Sequence, residues 1–218
     1  MKSLAVLAKY MGSYDKWERI RQRYQLKWSS ENVFHIFSSL SSENNNYEAM
    51  VQSLKKTCLA IPEKYKFYLL YCTVTGLRPS EACKSIELIN KDLKNYLNQE
   101  YMMLEHFKYP HIFIRRTKNA YVSLISNKII VMAQSSNVVS YNAIRMAARR
   151  IGEKMNMNFC RKIFATHLRI NGIEQETIDL LQGRVPRSVF ARHYFRPDFK
   201  NDNRVIHVIN ALHEKITE

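Results

Sequence analysis

The sequence is poor in the residues that break chains: five glycines and five prolines stand among 218 residues. That scarcity argues against low complexity and against extensive disorder. Its four cysteines, Cys58, Cys72, Cys83 and Cys160, lie far apart, with no CxxC pair and no histidine at zinc-ligand spacing. A disulfide framework and a structural zinc are thereby disfavoured, and buried reduced thiols are expected. No apolar run is long enough for a signal peptide or a membrane span, so a cytoplasmic protein is expected. Acidic residues are also scarce, with 19 Asp and Glu against 34 Lys and Arg, a formal charge of +15.

What is present fits one good-sized domain, or one domain with a short appended arm: 46% of the residues are hydrophobic, ample for a packed core. The positive excess is unevenly spread. Between Tyr101 and Ile170 there are 12 Lys or Arg against only Glu105 and Glu153, so this stretch holds +10 of the total +15. Such concentration points to a polyanionic partner, DNA or RNA, whose counterions are released on binding.

Periodicity predicts a mainly α protein with a small antiparallel sheet. Two short helices are expected over residues 3–24, broken at Gly12–Ser13, and another near 31–37. The small, polar segment 38–46 is the linker candidate. Further helices are expected from Tyr47 to Cys58 and from Pro62 to a left-handed cap at Gly76, with another opened by Pro79. The β-branched runs His111–Arg115 and Tyr121–Ile125 suggest a hairpin. Helices follow near Tyr141–Lys154, Cys160–Asn171, Glu174–Gln182, Val189–His193 and Asn203–Ile216.

Three segments carry candidate chemistry: TGLRPSEACKSIEL with Arg78, NFCRKIFATHLRINGI with Arg161, and GRVPRSVFARHYFRP with Tyr194, 33 positions after Arg161. Alone, each reads as a capped helix, a surface arginine or a core tyrosine. Together, TGLRPSEA resembles the first arginine box of the tyrosine recombinase (phage integrase) family. The run FCRKIFATHLRINGIEQETIDLLQGR resembles the second box, and VFARHYFRP resembles the nucleophile segment. The resemblance runs from Tyr47 to Phe199 and is closest in phrasing to integrases of archaeal viruses and plasmids. The stretch LAKYMGSYDKWERIRQRYQLKW resembles the end of such proteins' arm or core-binding region.

The resemblance implies a tyrosine recombinase catalytic domain over residues 46–218, preceded over 1–45 by the C-terminal part of an arm or core-binding segment. It implies site-specific cleavage and rejoining of double-stranded DNA through a 3′-phosphotyrosine, integrating or excising a mobile element, without cofactor or metal. Tyr194 is then the nucleophile, Arg78 and Arg161 stabilise phosphate charge, and Lys118 is the general acid, with Arg116 as a substitute. Self-association on attachment sites, as a tetramer in synapsis, is also implied, inside the host cell.

Two positions depart from the family pattern. The second box normally has His three residues before its Arg, where this chain has Asn158, and LLQGR has Arg184 where His or Trp is usual. Arg184 is expected to hold a non-bridging oxygen in their place, with Lys162 adding charge. His193 is expected to face away from Tyr194's partners, His167 to be structural and Glu81 to buttress an active-site side chain. Phe34, Tyr65 and Phe67 are expected in the core. Helix 203–216 is expected either on a neighbouring subunit or on its own domain. The chain alone is expected to recombine paired sites poorly, because its first residues look like the tail of a DNA clamp. The other readings are a catalytically weak DNA-binding regulator of attachment sites and a type IB topoisomerase-like relaxing enzyme.

Overall fold

A computed structural model describes residues 2–26, 46–116, 118–152, 158–184, 194, 197–199 and 203–218. The chain divides into two compact units, Met1–Asn45 and Asn46–Glu218. In the first, α1 (Lys2–Tyr10) and α2 (Tyr14–Arg23) are joined through Gly12, whose φ of +63° reverses the chain as its sequence suggests. Their apolar residues Leu4, Leu7, Met11 and Ile20 are exposed. The expected helix at 31–37, the linker at 38–46 up to residue 45, and Phe34 lie outside the described residues.

The second unit is mainly helical. Asn46 caps α3 (Tyr47–Ala60) by accepting the Glu48 N–H at 3.0 Å. Helix α4 (Glu63–Thr75) begins after Pro62, is buried along Tyr68–Thr75, and ends at Gly76 in the left-handed region. Pro79 then opens α5 (Pro79–Tyr96), where its missing N–H costs nothing. Helices α3, α4, α9 (Asn158–Ile170) and α11 (Arg204–Thr217) pack together, and α5 lies against α4 and α7 (Asn127–Gln134). Helix α8 (Tyr141–Arg150) is capped by Ser140 Oγ, and α10 (Gln175–Leu181) adjoins α9.

Helix α11 settles on its own domain, burying Val205, Ile209, Leu212 and Ile216; of the two expected partners the structure has the intramolecular one. His167 secures that packing. Its Nε2–H donates to the Val208 carbonyl at 3.1 Å, leaving Nδ1 to accept the Tyr47 hydroxyl at 2.6 Å. It links α9, α11 and α3, as a structural histidine would. Tyr65 and Phe67 are partly buried against the core rather than inside it.

The sheet corrects one expectation. Residues 111–115 are not a strand: Pro110 opens a one-turn helix, α6 (Pro110–Phe113). Proline at the first helical position outweighs the β preference of Ile112 and Phe113. The antiparallel sheet is instead β1 (Leu97–Asn98), β2 (Met103–Leu104) and β3 (Ser123–Leu124), in that spatial order. Leu97 pairs with Leu104 and Met103 with Leu124. Of the expected hairpin one isolated bridge remains, Ile114 to Asn119.

A buried relay fastens this sheet to the helices. The Tyr71 hydroxyl meets Ser85 Oγ at 2.7 Å, Ser85 meets Tyr96 at 2.8 Å, and Tyr96 meets His106 Nδ1 at 2.6 Å. His106 Nε2 then reaches Ser123 Oγ on β3 at 2.8 Å. Burial keeps His106 neutral, its pKa pushed down to about 3. Helix α8 stops at Arg150, before Gly152 at φ +79°, short of the expected Lys154, and α7 is an element the sequence did not suggest; the helix expected at 189–193 lies outside the described residues.

Candidate active site

The site begins at the end of α4. Gly76 adopts φ +64°, and a Cβ there would lie 2.5 Å from the ring of Phe164 on α9. One glycine thus both reverses the chain and lets α9 approach. At the helix end its carbonyl lacks an intrahelical partner and accepts Arg161 Nη1 at 2.6 Å. Arg161 Nη2 donates to the Gln182 carbonyl at 2.9 Å, and Gln182 Nε2 returns a bond to the Arg161 carbonyl at 2.8 Å. The planar fork of a guanidinium reaches two carbonyls at once, which an ammonium does less well. Its other N–H groups have no partner among the described residues.

Two residues after Gly76, Arg78 caps α5. Its backbone N–H donates to Glu81 Oε2 at 3.0 Å, and its Nη1 donates to Glu81 Oε1 at 3.0 Å. The same Nη1 donates to the Asn119 carbonyl at 3.0 Å. Glu81 is 2% exposed and also accepts from Arg115 Nη2. It therefore buttresses two arginines, as its place one turn into α5 suggests.

Arg184 follows α10, its Nη1 donating to the Asp179 carboxylate at 2.9 Å. The three expected arginines share one electrostatic neighbourhood. Burial first, then the like charge of Arg78, pulls the Arg161 guanidinium down to about 10, with Arg184 acting in the same sense and Glu81 against it. At neutral pH Arg161 therefore remains cationic. Like charges gathered with one buried carboxylate form a site whose repulsion an incoming anion relieves.

Lys118 sits in the turn closed by the Ile114–Asn119 bridge, exposed and with no partner among the described residues. Arg116 in the same turn is exposed too, as is Lys162 beside Arg161. The turn abuts the segment carrying Arg184, since a Cβ on Gly183 would lie 1.8 Å from the Asn119 oxygen. Arg78, Arg161, Arg184 and the Lys118 turn are thus brought together. Tyr194 is 72% exposed; its neighbours 185–193 and 195–196, His193 included, lie outside the described residues. Asn158 opens α9, three residues before Arg161.

Gln182, Arg115 and Asn119 do not stand out as site residues in the sequence. Only Gln182 carried a signal, by standing inside LLQGR. Arg145, Arg149 and Arg150 of α8 and Arg169 of α9, all within the basic stretch picked out by the charge count, are exposed. Among the described residues no helix is long and apolar enough to cross a membrane. All four cysteines are free thiols, three of them buried.

The family model of the archaeal phage integrases matches residues 46–210. No curated protein and no solved structure matches the chain.

Proposed function

Because the chain belongs to the archaeal phage integrase family, we propose that it is a tyrosine recombinase that cuts and rejoins double-stranded DNA at the attachment sites of a mobile element. Membership in an integrase family supports DNA as the partner and integration as the process. The finer reading rests above all on the convergence of Arg78, Arg161 and Arg184 next to the Lys118 turn.

In this reading the Tyr194 hydroxyl releases its proton to solvent as its oxygen attacks a DNA phosphorus, the P–O5′ bond breaks, and a 3′-phosphotyrosine forms. The 5′-hydroxyl of another strand reverses the step, so the phosphodiester bond energy is kept. Negative charge grows on the non-bridging oxygens during attack. Arg161, held by two carbonyls and with donors that have no partner among the described residues, and Arg78, held by Glu81, meet that charge without reorganising. Arg184 stands where His or Trp is usual in the family and adds a third cation. Lys118 protonates the departing 5′-oxygen. Strand exchange between two sites calls for several copies on DNA, a tetramer in synapsis.

The test is covalent capture. Nicked duplexes from a random-sequence library, incubated with the protein and denatured in detergent, should yield a protein–DNA adduct enriched for one sequence. Tyr194→Phe should still bind these duplexes but yield no adduct. Binding without any adduct in the unaltered protein would instead favour a regulator that occupies sites without cutting.

A further inference from the structure

Lys118 has no hydrogen bond or ion pair among the described residues. Its place therefore depends on its neighbour Asn119, which is held on every side. The Asn119 carbonyl accepts Arg78 Nη1 at 3.0 Å. Its side-chain Oδ1 accepts the Arg115 N–H at 2.9 Å, tying the two arms of the turn across Lys118. Its Nδ2 donates to the Tyr121 hydroxyl at 3.1 Å. Beneath it lies Gly183 at φ +65°, where any Cβ would stand 1.8 Å from the Asn119 oxygen and 2.8 Å from the Ala120 Cα. Ordinary contact begins near 3.4 Å, so backbone rests on backbone at a distance only glycine permits. On either side of that glycine, Gln182 braces Arg161 and Arg184 supplies the third cation.

We infer that Asn119 and Gly183 form a latch that positions Lys118: side-chain bonds close the turn, and a glycine seat docks it against the arginines. Neither residue touches the reacting atoms. Both are positioning residues acting through Lys118, and the inference rests on the reading of Lys118 as general acid. Arg78 joins the two functions, since the guanidinium assigned to the phosphate also holds the turn through the Asn119 carbonyl.

The experiment compares cleavage of ordinary DNA with cleavage of a 5′-bridging phosphorothiolate, both in the duplex recovered by covalent capture. A thiolate leaves without a proton, so a misplaced acid matters only on ordinary DNA. Asn119→Ala should slow ordinary cleavage by at least about tenfold and thiolate cleavage by less than about twofold, below the ~10²-fold cost of a full ångström of misplacement. Asn119→Asp keeps the acceptor for the Arg115 N–H and should recover most of the rate. Gly183→Ala pushes on both the turn and the arginine brace, so it should slow both substrates, ordinary DNA more. Should Asn119→Ala fail to fold, Asn119→Ser carries the same comparison. Equal slowing on both substrates, or no slowing, overturns the latch when Lys118→Ala is itself rescued by the thiolate. If Lys118→Ala is slowed equally on both, the general-acid reading falls and the latch with it.

Discussion

Replacing Glu81 by Gln changes one atom in a side chain that is 2% exposed and serves three donors. Oε2 takes the Arg78 backbone N–H at 3.0 Å, and Oε1 takes Arg78 Nη1 at 3.0 Å together with Arg115 Nη2. An amide has one acceptor oxygen, so whichever way the new side chain turns, an NH₂ faces an N–H. One bond to a charged group is lost, worth about 1.5–3 kcal/mol, and a buried donor is left unpaired at a further cost of about 1–3 kcal/mol. The Arg78 and Arg115 side chains are 21% and 43% exposed, so water repays part of both losses. A net loss of about 2–3 kcal/mol is expected, lowering Tm by roughly 4–12 °C at 2–4 °C per kcal/mol for a domain of this size. Urea unfolding should be followed by tyrosine near-ultraviolet circular dichroism. A loss below about 0.5 kcal/mol, within the range of an ordinary surface substitution, would show that Glu81 does not hold the arginines in solution.

Arg161→Lys keeps a charge but not the fork that spans the Gly76 and Gln182 carbonyls, so single-turnover cleavage should fall by about 10²-fold, the scale for losing one preorganised donor; a loss under tenfold would show that charge alone suffices. His106 has its pKa depressed from 6.5 to about 3, so below pH 6.5 the unfolded chain takes up a proton that the folded one refuses. The stability present above pH 6.5 should therefore be lost on acidification by up to about 1.4 kcal/mol per pH unit, with His167 and His213 acting in the same sense; urea midpoints unchanged between pH 7 and 5 would contradict this. DNA affinity should fall steeply with salt, through the exposed arginines of α8 and α9, and a log–log slope near zero would assign that charge elsewhere.

Elements governed by local chemistry were legible in the sequence. Gly76 and Pro79 mark their helix ends because a left-handed cap and a first-turn proline act within one or two residues. Strands β1 and β2 were not, since each has two residues and exists only by pairing. Helix α7, NKIIVMAQ, carries a β-branched run that reads equally as a strand, and burial of Ile129, Ile130 and Ala133 decides it. At the site, Arg78, Arg161 and Arg184 stood out through their motifs. Of the groups that hold them in place, Glu81 was legible one turn beyond Arg78, whereas Gln182 and Asn119 were not. The bond from Arg78 to the Asn119 carbonyl spans 41 residues, and no local pattern encodes it.

The central claim is that Tyr194 carries the DNA. Protein captured on a nicked duplex, digested with nuclease and protease and read by tandem mass spectrometry, tests it directly. A phosphonucleotide is expected on the Tyr194 hydroxyl, linked through the DNA 3′ end, and none in Tyr194→Phe. An adduct on another residue, or one that persists in Tyr194→Phe, would contradict it.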